Sequence, residues 1–232
     1  MTSGIVLIVA SHPDDEVLGV GGTAAWHAAR GERVEVLILA DGVTSRGSDG
    51  DHTTQEKELS ARRSAAVDAA QELGISRPRF GDFPDNRMDG CDLLDIVKVV
   101  ESVTVKLEPD IVYTHHGSDL NVDHRLTHQA VLTACRPQPG FKPAAIYTFE
   151  TASSTEWSSA DIGPNFRPQR FVNISATLER KKLALQCYGM EMRAFPHARS
   201  IEAVEALARL RGSQAGCDAA EGFGVIREVI HA

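Results

Sequence analysis

Ile5-Val-Leu-Ile-Val-Ala10, followed at once by Ser11-His12-Pro13-Asp14-Asp15-Glu16, is the stretch on which the reading of this chain turns. A short, largely β-branched apolar run that stops at a Ser-His-Pro turn predicts a buried strand. Val34-Glu-Val-Leu-Ile-Leu-Ala40 repeats the pattern, and between the two lies a helix-length segment, about residues 16–30, that stops at Gly31. The three together predict a βαβ unit, with the acidic hexapeptide on the turn that leaves the first strand.

Working outward, residues 56–73 carry apolar side chains at helical spacing and stop at Gly74, where a C-terminal cap glycine belongs. Residues 93–107 form a second such helix ahead of Pro109, and residues 110–115 read as a buried strand that runs into a His-rich loop. A helix over 123–135, a strand over 144–149 and helices over 178–188 and 200–211 follow; residues 224–230 are an edge strand or a last helix. Alternation of strands and helices gives an α/β fold, a Rossmann-like, mostly parallel sheet with helices on both faces, in a single domain over 1–232. In such sheets ligands bind beyond the carboxyl ends of the strands, where both His/Asp-rich segments fall. Two long loops, residues 41–54 and 150–170, are read as binding loops or plain connections.

Composition narrows the function classes. The net charge is −8 and the basic residues are scattered, which excludes a phosphate-tracking nucleic-acid surface. No apolar stretch approaches the ~20 residues that a membrane span needs, and Met-Thr-Ser-Gly followed by six apolar residues lacks a basic leader, so the expected location is cytoplasmic, with no membrane partner. Cys91, Cys135, Cys187 and Cys217 are far apart and read as reduced packing residues. Oligomeric state is open, a homo-oligomer included.

His12, Asp14, Asp15 and Glu16 place one imidazole and three carboxylates on one turn, a donor mixture suited to zinc or another divalent transition metal, although Asp14 and Asp15 are equally readable as caps of the next helix. His115-His116-Gly117-Ser118-Asp119-Leu120-Asn121-Val122-Asp123-His124 adds three histidines at the end of another strand. A catalytic zinc commonly takes three protein ligands and keeps one position for a water whose pKa falls to about 7. His124 and His128 also have the i, i+4 spacing of helical metalloproteases, but Arg125 stands where their glutamate would be. His27, His52 and His231 are assigned to packing or the surface. Gly19, Gly21 and Gly22 follow the acidic turn rather than the strand, so close helix–sheet packing explains them better than a phosphate loop.

These segments resemble the PIG-L deacetylase family, whose members remove acetyl from N-acetylglucosamine units of small glycoconjugates and lipids. The resemblance rests on His12-Pro13-Asp14-Asp15-Glu16 with Gly19-Val20-Gly21-Gly22-Thr23, and on Asn121-Val122-Asp123-His124. It continues through Phe83-Pro84-Asp85-Asn86-Arg87, Pro196-His197-Ala198-Arg199-Ser200, Arg211-Gly212 and Ala220-Glu221-Gly222-Phe223. It implies a zinc-dependent hydrolase of an N-acetylated sugar, with one Zn2+ per chain held by His12, Asp15 and His124 and with Asp14 as general base on the zinc-bound water. Asn121 replaces a histidine that several relatives carry, so His116 is the nearest proton donor, with His115 and His197 behind it. Asp123 is expected to orient His124 or to cap the helix. Glu16 is expected to support the metal turn or start the helix. Arg62, Arg87 and Trp157 are candidate substrate contacts, each balanced by a surface or packing role, as is Arg199. Hydrolysis of a non-sugar amide and a catalytically silent sugar-binding protein are the alternatives.

Overall fold

The computed structural model describes residues 4–42, 52–138 and 143–230, and within them an α/β sandwich built on one seven-stranded sheet. The elements in chain order are β1 (Ile5–Ala10), α1 (Asp15–Ala29), β2 (Arg33–Ala40), α2 (His52–Leu73), β3 (Arg79–Phe83), α3 (Leu93–Leu107), β4 (Ile111–His115), α4 (Val122–Ala134), β5 (Ala145–Phe149), β6 (Arg170–Asn173), α5 (Leu178–Cys187), α6 (Ile201–Ala215) and β7 (Ala220–Glu228). The strand order is β3-β2-β1-β4-β5-β7-β6, with β3 to β5 mutually parallel and β7 antiparallel to both of its neighbours. The expected Rossmann-like, mostly parallel sheet is therefore present.

β1 is apolar throughout because both of its faces are covered. Val6 and Ile8 join a core with residues of α1, α2 and α5, while Leu7 and Val9 join a second core with α3 and α4. Leu7, Ile8 and Val9 are fully buried, and each such side chain contributes roughly 1.5–3 kcal/mol relative to exposure. Gly19 and Gly22 let α1 sit down on this layer. A Cβ at Gly19 would collide with the Phe149 ring of β5, and one at Gly22 would lie 2.7 Å from Ile174, so the packing explanation of these glycines holds.

One expectation needs correction, and two strands are additional. Residues 220–228 form β7, which lies between β5 and β6 and is neither an edge nor a helix. β3 and β6 were not expected as strands. Both are short edge strands, with only one neighbour each and few apolar residues to signal them. Residues 43–51 of the first long loop and His231 lie outside the described residues, as does the side chain of His52. His27 is buried against Glu32 and Tyr113, and the four cysteines are unpaired. Among the described residues no helix is long and apolar enough to cross a membrane.

Candidate metal centre

The carboxyl ends of β1, β4 and β5 are adjacent, and each feeds a loop into one place. After β1 the chain turns sharply through Asp14, which holds φ 112° at the N-cap of α1 and makes no side-chain cap hydrogen bond. Such a conformation is unusual for a residue other than glycine. Two contacts hold it: the Asp14 N–H donates to Glu16 Oε2 at 3.1 Å, and Arg199 Nη1 donates to Asp14 Oδ2 at 2.8 Å. Tyr188 in turn donates its hydroxyl to Glu16 Oε1. Asp15 does not cap either, because its Oδ2 accepts the His12 N–H at 2.9 Å.

His12 Nδ1, Asp15 Oδ2 and His124 Nε2 then converge from two loops. Both nitrogens lie 3.2 Å from the oxygen and 3.3 Å from each other. Donors held about 2.0–2.1 Å from a tetrahedral metal are about 3.3 Å apart along each edge, so this triangle has the size of a zinc-type ligand face. The outward nitrogens support the same reading. His12 Nε2 lies 2.9 Å from Asp123 Oδ2 and 3.1 Å from Asp85 Oδ1, and His124 Nδ1 lies 3.0 Å from Asp119 Oδ1, an ion-pair contact outside hydrogen-bond geometry. Once a metal takes the inward nitrogens, the carboxylates behind the rings can hold the outward N–H groups. Asp15 Oδ1 is buried without a hydrogen-bond partner, an atom that a cation would satisfy. The residues present therefore fit a divalent metal.

Burial works against the charged form of His12, but Asp123, Asp15 and Asp85 outweigh it and hold its pKa well above the usual range. Burial opposes the His124 cation too, yet Asp15 and Asp119 raise its pKa to about 9. Burial disfavours ionised Asp15 as well, but the His124 charge and the hydrogen bond from His12 keep it well below the carboxylate range. The cluster favours positive charge, and a metal would bind by displacing protons from the rings. Asp14 is the opposite case: burial raises it to about 7 against the pull of Arg199. Burial likewise raises Glu16 to about 8.

His12 with Asp85 and Asp123 makes a second group of donors within metal-binding distance. Asp123, however, already accepts the N–H groups of Asn86 at 2.7 Å and Met88 at 3.0 Å, so this group orients His12 instead of forming another centre. Asp123 was expected to orient His124 or cap α4, and does neither. Successive side chains on a helix diverge by about 100°, so Asp123 cannot turn to the ring beside it. Asp119 faces His124 in its place. Asn121 is the N-cap, its Oδ1 accepting the Asp123 N–H at 2.8 Å while its Nδ2 donates to Asn86 Oδ1 at 2.8 Å.

A small open polar cavity lies over this centre, lined by His12, Asp14, Arg62, Asp85, Asn86, Asn121, Glu191 and Arg199 among others. Arg62 is buried and pairs with Glu191 at 2.5 Å, so it is not a solvated helix residue. Arg87 and Trp157 are exposed and do not line the cavity. Trp157 stands edge-on to His197, with ring centroids 6.2 Å apart. His116 does not line the cavity either, and its Nε2 donates to the Pro164 carbonyl at 2.9 Å. His115 is buried, accepts the Ser11 N–H on Nε2 at 2.9 Å and stacks on His124 at 3.8 Å. With that nitrogen an acceptor, His115 is neutral. His128 Nδ1 donates to the His115 carbonyl at 2.9 Å and takes no part in the cluster. Asp119 and Glu191 went unread in the sequence. Asp119 sits within the His-rich loop, where its position alone could have flagged it, whereas Glu191 follows α5 with no motif around it.

Comparison with known proteins gives three kinds of match. The family model "PIG-L: GlcNAc-PI de-N-acetylase" matches residues 7–135, more than half of the chain. Over 199 residues the chain is 28% identical to a 1D-myo-inositol 2-acetamido-2-deoxy-alpha-D-glucopyranoside deacetylase of Mycolicibacterium vanbaalenii, covering 76% of this chain and 69% of that protein. A probable N-acetyl-alpha-D-glucosaminyl L-malate deacetylase of Bacillus anthracis is 27% identical, with 80% of each chain covered. Among solved structures, GalB, the 4-carboxy-2-hydroxymuconate hydratase of Pseudomonas putida, superimposes with TM-score 0.79 at 27% identity, covering 99% of this chain and 98% of that one. The N,N'-diacetylchitobiose deacetylase of Pyrococcus horikoshii shares the fold, with TM-score 0.76 at 20% identity over 97% of this chain and 84% of that one.

Proposed function

The chain belongs to the PIG-L family of GlcNAc-PI de-N-acetylases, and from that premise we propose that it hydrolyses the N-acetyl group of a small N-acetylglucosamine-type sugar, using one zinc ion. The observation that carries this reading is the separation of tasks on one turn. His12 and Asp15 point donors at a common centre with His124, while Asp14, their neighbour, is outside that triangle and lines the cavity above it.

Zinc bound to His12, Asp15 and His124 would supply Lewis acidity toward the amide carbonyl. The chain's own residues do the rest. Asp14, poised near neutrality, takes a proton from the attacking water. Asp14 can then return that proton to the departing amine, a role expected earlier of His116, whose Nε2–H is turned away to Pro164. Asn86, Asn121, Asp85 and the Arg62–Glu191 pair line the cavity with donors and acceptors suited to hydroxyl groups.

The test is acetate release by the zinc-loaded protein from a panel of N-acetylated sugars. Asp14→Asn should retain zinc and lose about 10²- to 10⁴-fold in turnover. Release from no sugar by the wild type would sink the reading. A hydratase is the second reading, favoured by the likeness to GalB along the whole chain. Bleaching of a conjugated enol carboxylate without any acetate release would select it.

A further inference from the structure

Ser153-Ser154-Thr155 follows β5, outside the residues matched by the family model. Ser153 holds φ 69°, a conformation that a serine keeps only when its surroundings fix it. Its N–H donates to Glu156 Oε1 at 2.6 Å, and its Oγ accepts from Arg199 Nε at 2.7 Å. The same guanidinium reaches Asp14 Oδ2 through Nη1 at 2.8 Å. The next two side chains serve a different carboxylate. Ser154 Oγ donates to Asp119 Oδ1 and Thr155 Oγ1 donates to Asp119 Oδ2, while the Asn121 N–H adds a third bond to Oδ1 at 2.9 Å. Asp119 Oδ1 is the atom 3.0 Å from His124 Nδ1, an ion-pair contact and not an aligned hydrogen bond. Thr155 is itself anchored, since its Oγ1 accepts the Thr151 N–H at 2.8 Å. Asp119, Ser154 and Thr155 are all buried.

We propose that Ser153-Ser154-Thr155 is a positioning bracket with two arms, Ser154 and Thr155 fixing the His124 ring through Asp119, and Ser153 fixing the Asp14 carboxylate through Arg199. The roles given to His124 and Asp14 rest on the proposed function. A lone carboxylate can rotate about its last bond, whereas one with a donor on each oxygen cannot, and a fixed carboxylate fixes the imidazole it faces. On the other arm, bonds at Nε and Nη1 define the guanidinium plane, so the forked group presents Asp14 in one orientation.

The experiment uses the full chain loaded with Zn(II). Zinc affinity is measured by competition with a chromophoric chelator, folding by circular dichroism, and kcat and KM on an N-acetylated sugar that the wild type turns over. Ser154→Ala with Thr155→Val should weaken zinc binding by about 10- to 100-fold, while Thr155→Ser, which keeps the hydroxyl, stays near wild type. Ser153→Ala should keep wild-type zinc affinity and KM but lose up to about 100-fold in kcat, and Arg199→Gln should keep zinc affinity with at least that loss in kcat, partly recovered in Arg199→Lys. Wild-type affinity in the folded double variant overturns the first arm. A loss in Thr155→Ser equal to that in the double variant assigns the effect to packing and overturns it as well. Wild-type kcat in Ser153→Ala overturns the second arm. Zinc affinity needs no substrate, so the first arm is decided even where the deacetylase reading fails.

Discussion

Asp123 accepts its hydrogen bond from His12, on another loop, and not from His124 beside it: Oδ2 lies 2.9 Å from His12 Nε2. The same carboxylate receives the N–H groups of Asn86 and Met88 and is fully buried. Asp123→Asn turns an amide toward these donors. Zinc affinity should fall about 10- to 100-fold, and stability by about 1–3 kcal/mol. Chelator competition and urea unfolding measure the two effects, and an unchanged zinc affinity would remove the orienting role.

Gly19 is where α1 meets the sheet. Its Cβ position is occupied by the Phe149 ring, which itself packs against His115 with centroids 4.6 Å apart. Gly19→Ala should cost about 1–3 kcal/mol, the range for overpacking a dense core. A thermal melt within experimental error of wild type would show that the ring can give way.

Lys181 and Glu221 form a buried pair at 2.6 Å, and Glu221 also accepts the Gly22 and Thr23 N–H groups of α1. Lys181→Met strands a buried carboxylate and should cost about 3–5 kcal/mol in urea unfolding. Adding Glu221→Gln removes the charge and keeps an acceptor, so the double variant should be more stable than Lys181→Met alone. The reverse order would contradict the pairing.

His27 gives a pH dependence away from the metal. Burial lowers its pKa below the ordinary 6.5, against the pull of Glu32. The unfolded chain therefore binds this proton more readily than the folded one. The contribution to stability is complete above about pH 6.5 and is lost as pH falls through the lower, folded value. His27→Gln should flatten this part of the profile. Melting temperatures of both proteins from pH 7.5 to 5 test it, and parallel slopes would refute it.

What could be read from the sequence, and what could not, follows from how each contact is made. β1 and β4 are covered on both faces, so burial wrote itself into consecutive apolar residues. β3 and β6 pair on one side only, and Arg79-Phe-Gly-Asp-Phe83 offers little apolar pattern. The residues facing the metal centre lie within short motifs and were legible: His12, Asp15 and His124 meet as expected. Their supports were harder. Asp123 was assigned to its neighbour in sequence, where helix geometry forbids the contact, and the partners of Asp119 and Asp14 come from Thr155 and Arg199, far along the chain. Long-range hydrogen bonds between polar residues leave no periodicity to read.

Asp14 keeps a backbone angle of 112° that glycine would adopt freely, and such strain commonly stores about 1–3 kcal/mol. Position 14 would therefore answer two laboratory selections in opposite ways. A library screened only for heat resistance would drift toward glycine there, while one screened for turnover would hold aspartate. The residue that makes the turn hardest to fold is the one the proposed chemistry cannot replace.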